Sequence, residues 1–472
     1  MNLKNLKMEI KSFILDSIDN LDKLSCHSHD PDVLLLINKI KKKGIELNTI
    51  KDRIISGPMG FHLHTYDYVP ENFPNRAKLL QVSNIDEFGE ICVSNRDKYI
   101  SNDKHNELTN SIVKKGDLIL AKTGTTIGKI ALFSDNYKAN LNQALGIIRL
   151  KKEYGDIKIS PKYIHTFLNS FYGLEQFIHL GGYRAGQGGL SLKEISSIFI
   201  VLPDESKQEE IIKDVDKIRK QAIVHYNNYV KFSEYSKKLP SELLNIDIPN
   251  EENRVYISEK RTGNRIDAIF NSPFLALLKQ NILNKPHKKL SDLMDDASNK
   301  FIYNNFYKLI DLDDIDERLS KIRSFKEVPS LNSTKTMFKE GNLLISKLGS
   351  EKGNVIVIEK EFDGCVGSGE LVSFKLKNDS PVSIDYILFL IRSVLVSKQI
   401  EYSLSGSSRM RISKTGMQNL LIPIPKNDIE EKEFVKSINK YIGKAEREYQ
   451  NYLEKKKNMF NVIKKHIGGI ID

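Results

Sequence analysis

Cysteine is scarce in this chain: three residues in 472, Cys26, Cys92 and Cys365, far apart and odd in number. That excludes a disulfide scaffold and fits a reducing cytoplasm. No apolar run approaches the ~18 residues a membrane span needs. The opening stretch, MNLKNLKMEIKSFILDSIDNLDKL, scatters acids through helical spacing and is unlike a signal peptide. A phosphate-binding loop is also missing. Its nearest approach is KTGTTIGK (Lys122–Lys129), where three residues rather than four separate Gly124 from Gly128, and Ile130 stands where a magnesium-binding hydroxyl belongs. No zinc signature is present, because Cys26, His27 and His29 are crowded together without a fourth ligand or a CxxC pair. Asp204, Glu205 and Lys207 share their letters with a nuclease metal site. Adjacent at the start of a helical pattern, they suit the positive end of the helix dipole instead. There is no Asn/Asp-Pro-Pro-aromatic motif for base methylation, no glycine-rich S-adenosylmethionine loop and no nucleophile–base spacing. The expectation is a chain without catalysis, metal or cofactor of its own.

What is present is positive charge. The chain holds 72 Lys+Arg against 61 Asp+Glu, a net charge of +11 with a pI near 9.1. Such a balance favours a polyanionic partner, most commonly nucleic acid. A hydrophobic fraction of 40% and a mean hydropathy of −0.37 describe a globular chain, and its length suits about two to four domains.

The chain also repeats itself. KKGDLILAKTGTTIGKIALF and KEGNLLISKLGSEKGNVIVI align at a shift of 225 residues, which pairs Gly116, Gly124 and Gly128 with Gly341, Gly349 and Gly353. Upstream, KLLQVSNIDE (Lys78–Glu87) matches KLIDLDDIDE (Lys308–Glu317) at 230; downstream, Ser191 and Pro203 match Ser413 and Pro425 at 222. Order is kept throughout, so an internal duplication is expected. Each copy predicts a short leading helix, 30–43 or 272–283. Strands follow at 79–82, 117–121, 130–133 and 145–150, with counterparts at 309–312, 342–346, 355–359 and 370–375. A helix (161–169; 384–395), a glycine-rich loop and a short strand ending at proline complete the copy. Beyond each proline the apolar period becomes helical: Ile211, Val215, Ile218 and Ala222 in one copy, Phe434, Ile438, Tyr441 and Ala445 in the other. Long amphipathic helices at 206–239 and 428–466 are expected to pair as an antiparallel coiled coil and offer apolar faces to partner helices.

Polar residues concentrate in two kinds of loop. Lys122, Thr123, Thr125, Thr126 and Lys129, like Lys347, Ser350, Glu351 and Lys352, occupy a glycine turn between strands. They read either as DNA contacts, with lysines on phosphates and shorter groups near base edges, or as a solvated turn. GGYRAGQGG (Gly181–Gly189) carries Arg184 and Gln187, and SGSSRMRIS (Ser405–Ser413) carries Arg409 and Arg411. These read either as groove-reading side chains or as connectors. ISGPMGFHLHTYDYVPENFPNR, with His62, His64, Tyr66, Tyr68 and Arg76, reads first as a solvent-facing meander and second as a segment that stacks on bases.

The ordered blocks KGDLILAKTGTTIGK and EGNLLISKLGSEKGN, the exits LSLKEISSIFIVLPDESKQEEI and RISKTGMQNLLIPIPKNDIEEKEF, and RIDAIFNSPF at the opening of the second half carry a resemblance. Over roughly residues 30–465 the chain resembles the DNA-specificity (S) subunits of type I restriction-modification systems. The resemblance implies an α+β fold of two pseudo-repeated target recognition domains separated by two long antiparallel coiled-coil helices. The divisions would be an N-terminal segment 1–29, recognition domains 30–205 and 251–427, and helical regions 206–250 and 428–472. It further implies a cytoplasmic, non-catalytic subunit that reads a bipartite double-stranded DNA target and scaffolds two methyltransferase subunits and restriction/translocase subunits. S-adenosylmethionine, ATP and magnesium would then belong to the partners. Two departures stand out: the second exit, Pro425–Glu430, lacks the Glu-Gln of the family pattern, and the first copy lacks a counterpart of Arg265-Ile-Asp267. Two other readings remain: the specificity chain of a related system whose partner fuses methyltransferase and nuclease, and a basic coiled-coil scaffold that binds protein.

Overall fold

The computed structural model describes residues 31–58, 63–94, 97–181, 189–250, 272–300, 307–328, 335–406 and 410–471. The chain forms two compact units, one made of the residues up to Ile223 and from Tyr452 onward, the other of Val224–Asn451. Each is a mixture of helix and sheet, and each takes part of both long helices. The boundaries thus fall inside the helices, not at their ends.

In the first unit the main sheet is antiparallel, in the order Lys51–Ser56, Leu145–Leu150, Leu118–Ala121, Ile130–Leu132. Leu118–Ala121 is apolar at every position because both its faces are covered: Leu118 and Leu120 enter one core, Ile119 and Ala121 another. A second sheet runs Tyr68–Val69, Lys98–Ile100, Ala77–Leu80, Ala139–Leu141, its last pair parallel. The helix Pro161–Leu168 starts where Ser160 accepts the Tyr163 N–H and proline fills the first turn, which needs no donor. With Phe171–Gly181 it covers the main sheet through Tyr163, Phe167 and Phe177.

The second unit repeats this topology. Its main sheet runs Met294–Asp296, Leu371–Leu376, Leu343–Ser346, Val355–Val357. Its second sheet has five strands and again one parallel pair, Tyr307–Ile310 with Val366–Ser368. In both units the short strand before the terminal proline pairs with a segment near the start of the unit, Phe199–Ile200 with Ile45–Glu46 and Leu421–Pro423 with His287–Lys289.

The duplication extends to polar groups buried under the sheets. Gln176 and Gln399 each donate to the carbonyl four residues back and bond the last short strand both ways, at Phe199 and at Leu421. Tyr163 and Tyr386 donate their hydroxyls to the Val201 and Pro423 carbonyls, 2.5 and 3.2 Å away. The aligned glycines share left-handed backbone: φ is +92° and +77° at Gly116 and Gly341, +74° and +71° at Gly124 and Gly349, and +90° and +116° at Gly128 and Gly353. A side chain at those positions would be strained, which explains why the turn keeps its glycines in both copies.

Several elements depart from the sequence reading. The expected helix 384–395 ends at Arg392; Ser393 turns its hydroxyl onto the Leu390 carbonyl, and a second helix, Val394–Glu401, follows. The first long helix runs Glu205–Leu243, past Pro240, which lies in its last turn and lacks the N–H for one ladder bond. The second runs Asp428–Ile471. The antiparallel pairing appears within each unit. In the first, Asp214 meets His466 at 3.0 Å. In the second, His225 meets Glu448, and the Tyr229/Tyr449 and Tyr235/Tyr441 ring pairs lie 4.9 and 4.7 Å apart.

Candidate nucleic-acid interface

Lys122 and Lys347 occupy the same backbone junction in the two units. The Lys122 N–H donates to the Ala144 carbonyl and its own carbonyl accepts from Leu190; Lys347 bonds Glu370 and Ile412 in the same way. The glycine turn is therefore held against the end of the glycine-rich loop, so two segments distant in sequence meet in each unit. Arg184, Gln187 and Arg409 lie outside the described residues, as do Cys26, His27, His29, His62 and the segment 251–271. Arg411 lies inside, bridged to Ser405 beside the turn.

The two turns then part company. In the first unit Gly124 has open space around it, Thr123 is exposed, and the Thr126 hydroxyl donates to the Thr123 carbonyl at 3.2 Å. The turn backbone at Thr125 continues the same short 3-10 segment, Gly124–Thr126. Burial holds the Lys122 ammonium below the usual lysine range, while Lys129 reaches Glu87 at 2.7 Å on the surface. In the second unit the turn is packed down. Lys237 of the first long helix donates to the Lys352 carbonyl at 2.7 Å, and a side chain on Gly353 would lie 2.4 Å from the Glu317 carbonyl oxygen. Ser350 is 0% exposed and its hydroxyl has no hydrogen-bond partner. It is corrected from a DNA contact to a core residue, since no base edge reaches it. Lys347 donates to the Gly369 carbonyl at 3.3 Å, and Lys352 stays exposed. Arg411 holds both carboxylate oxygens of Glu370, at 2.9 to 3.2 Å, so its charge is already matched.

The apolar stripes of the long helices need a second correction. Ile211, Val215 and Ala222, like Phe434, Ile438 and Ala445, are buried, while Ile218 and Tyr441 are half-buried. Ile211 and Val215 pack with Ile463 and Ile467 in the first unit; Phe434, Ile438 and Ala445 enter the core of the second. The buried residues of the stripes are thus taken up within the chain itself and are not free for a partner helix, while Ile218 and Tyr441 stay partly open.

Sequence reasoning missed the polar groups that tie the sheets of each unit to a long helix. In the second unit Asp316 is 2% exposed and accepts from the Tyr229 hydroxyl, the Arg323 guanidinium (2.9 Å) and the Arg318 and Leu319 amides. Arg392, fully buried, donates to the Arg318 carbonyl, and burial lowers its pKa to about 10. In the first unit Arg219 lies near Glu90 and Asp216, and Lys162 pairs with Asp216. The matched stretch KLIDLDDIDE contains Asp316, and KLLQVSNIDE ends just before Glu90, so the repeat lay beside the signal; its purpose did not show. Glu210, Asp214 and His466 also bring potential metal-ligand atoms within 4.8 Å of one another. Lys207 already holds Glu210 at 2.7 Å, which makes this an ion-pair cluster in the first instance.

No protein-family model matches the chain. Over 148 residues it is 26% identical to the type I restriction enzyme EcoBI specificity subunit of Escherichia coli, a stretch covering 31% of this chain and 30% of that subunit. The match thus spans less than a third of that relative's length. Similar solved structures include a chain of a type I R-M system solved for its complex assembly and conformational transition. That chain is 13% identical, covered to 96% by 90% of this chain, with a TM-score of 0.38. Two others are the HsdS subunit of Thermoanaerobacter tengcongensis (14% identity, 90% of this chain, 95% of that chain, TM-score 0.32) and the type I S subunit of M. genitalium (12%, 90%, 95%, 0.37). In sequence, the chain is similar to a type I restriction-modification specificity subunit, the family its repeated motifs resemble.

Proposed function

We propose that this chain is the sequence-specific DNA-binding subunit of a type I restriction-modification system. It reads a bipartite target through its two units and scaffolds methyltransferase and restriction subunits in the cytoplasm. The observation that supports this most is the duplication itself: two units share the strand order of their main sheets, buried glutamines and left-handed glycines, yet differ in their exposed loops. A common frame with unlike reading surfaces is what two unrelated half-sites require, and a helix pair is a stiff spacer between half-sites on B-DNA. The net charge of +11 suits the phosphate backbone. Methyl transfer, ATP hydrolysis and cleavage belong to partner chains in this reading, with their S-adenosylmethionine, ATP and magnesium.

The test is long-read methylation sequencing of a methylation-free host expressing the chain with its native methyltransferase. A split motif that disappears when this chain is omitted is the expected result. Soluble, co-purifying proteins that leave no chain-dependent mark and bind DNA without sequence preference would favour the protein-scaffold reading.

A further inference from the structure

The glycine turns are not the only cationic surface. On the second sheet of the first unit a cleft of about 430 Å³ is lined by three basic residues, Arg76, Lys78 and Lys138, one acid, Asp135, and the rings of Tyr99 and Tyr137, with Val93 on its wall. Asn75 turns the chain just before it with φ +53°, a left-handed conformation that asparagine tolerates. Arg76 then lies with its guanidinium carbon 4.8 Å from the centre of the Tyr99 ring. One terminal nitrogen donates to the Phe73 carbonyl at 3.3 Å, and the covered Nε has no hydrogen-bond partner. Tyr99 is itself fixed, its hydroxyl donating to Glu71 at 3.2 Å.

Charge matching distinguishes this arginine from Arg149 and Arg411, though Arg53 and Arg447 likewise make no ion pair among the described residues. Arg149 is tied to Asp117 and Arg411 to Glu370. Among the described residues Arg76 makes no ion pair with a carboxylate. Lys78, beside it, is spent on Asp97 at 2.7 Å. A planar guanidinium stacked on a ring has already lost its rotamer freedom, and its remaining N–H groups form a fork suited to two acceptors. The neighbourhood fits nucleic acid. Lys98 lies over the Tyr68 ring at 4.9 Å, His64 stacks on the 80%-exposed Tyr66, and Val93, on the cleft wall, is 86% exposed. In the second unit, Lys308, aligned with Lys78, lies over Phe325, so a lysine–phenylalanine pair stands there.

We propose that the cleft at Arg76 is a DNA-contact site of the first unit, where the guanidinium takes a pair of acceptors on the duplex. This rests on the DNA-reading function proposed above. The pair is either the O6/N7 edge of a guanine or two oxygens of a phosphate, both of which an arginine fork fits.

The experiment uses the full chain in complex with its methyltransferase, as wild type, Arg76→Met and Arg76→Lys. Methylated motifs are read by sequencing, and binding to the target duplex is measured over a salt series. Methionine keeps the stem over Tyr99, and unchanged thermal unfolding shows that the variant is folded. The expected result is roughly ten-fold weaker binding or more in Arg76→Met. If a guanine is the partner, both variants relax one position of one half-site. If a phosphate is the partner, the motif is kept and the salt slope falls by about one in Arg76→Met but not in Arg76→Lys. A folded Arg76→Met complex with wild-type motif, affinity and slope overturns the assignment while leaving the DNA-reading function intact. A wild-type complex without sequence selectivity sinks both.

Discussion

Ser350 and His165 show how much a residue's meaning depends on what surrounds it. Ser350 sits in a lysine- and glycine-containing turn and reads as a polar tip, yet its hydroxyl is buried without a partner. An unsatisfied hydroxyl costs on the order of 1–3 kcal/mol. Ser350→Ala is therefore expected to leave DNA binding unchanged and to raise the unfolding midpoint in urea, by about 1 kcal/mol of stability. His165 attracts no attention in the sequence. Its Nε2 contacts the Gly89 carbonyl at 2.8 Å, and burial, then the nearby Arg219, lowers its pKa to about 4; Asp216 and the Gly89 and Ile130 carbonyls oppose that shift. The folded chain keeps this imidazole neutral, whereas the unfolded chain protonates it near pH 6.5. Stability from this site is complete above pH 6.5 and declines as pH falls toward 4, by roughly 2 kcal/mol at pH 5. Leu388 holds the matching position in the second unit, in the helix that Ser383 caps. In His165→Leu, thermal unfolding between pH 7 and 5 should lose this part of its pH dependence.

At the scale of elements, the inner strands of each main sheet and the long helices were legible because their signals are local, whereas the edge strand Lys51–Ser56 and most of the second sheet were not. Leu145–Leu150 falls where its β-branched run predicts, and the second long helix begins at Asp428, as its acids and periodicity indicate. The two-residue strands Ile45–Glu46 and Phe199–Ile200 were not legible as a pair, since among the described residues each pairs with the other alone, across most of a unit. The same holds for the Asp316 cluster, assembled from a loop, a long helix and Arg392. An unpaired buried charge is far more costly than an absent pair. Asp316→Ala would strand Arg323 and the Tyr229 hydroxyl and weaken the neutralisation of Arg392. It should destabilise the second unit by about 3–5 kcal/mol, seen as an early transition in urea unfolding. A single transition at the wild-type midpoint would show that the cluster is dispensable.

For the whole molecule, the length of the long helices is the quantity that a specificity subunit would convert into spacer length. Adding one turn, about four residues, to both helices near Val224 and Tyr452 should lengthen the spacer of the methylated motif and leave its half-sites unchanged. Altered half-sites would remove the helices as the ruler. The sequence by itself determined the duplication, the inner strands of the main sheets, the long helices, the glycines of the turns and the positive charge, because each is written in neighbouring residues or in the period of one element. Only the tertiary structure decided which polar groups are free. Lys129, Ser350 and Arg411 look alike as loop residues, but Glu87, a packed turn and Glu370 claim them, while Arg76 lies stacked on Tyr99 without a carboxylate. Burial and charge matching are settled by residues far away in the chain, and no local pattern reports them.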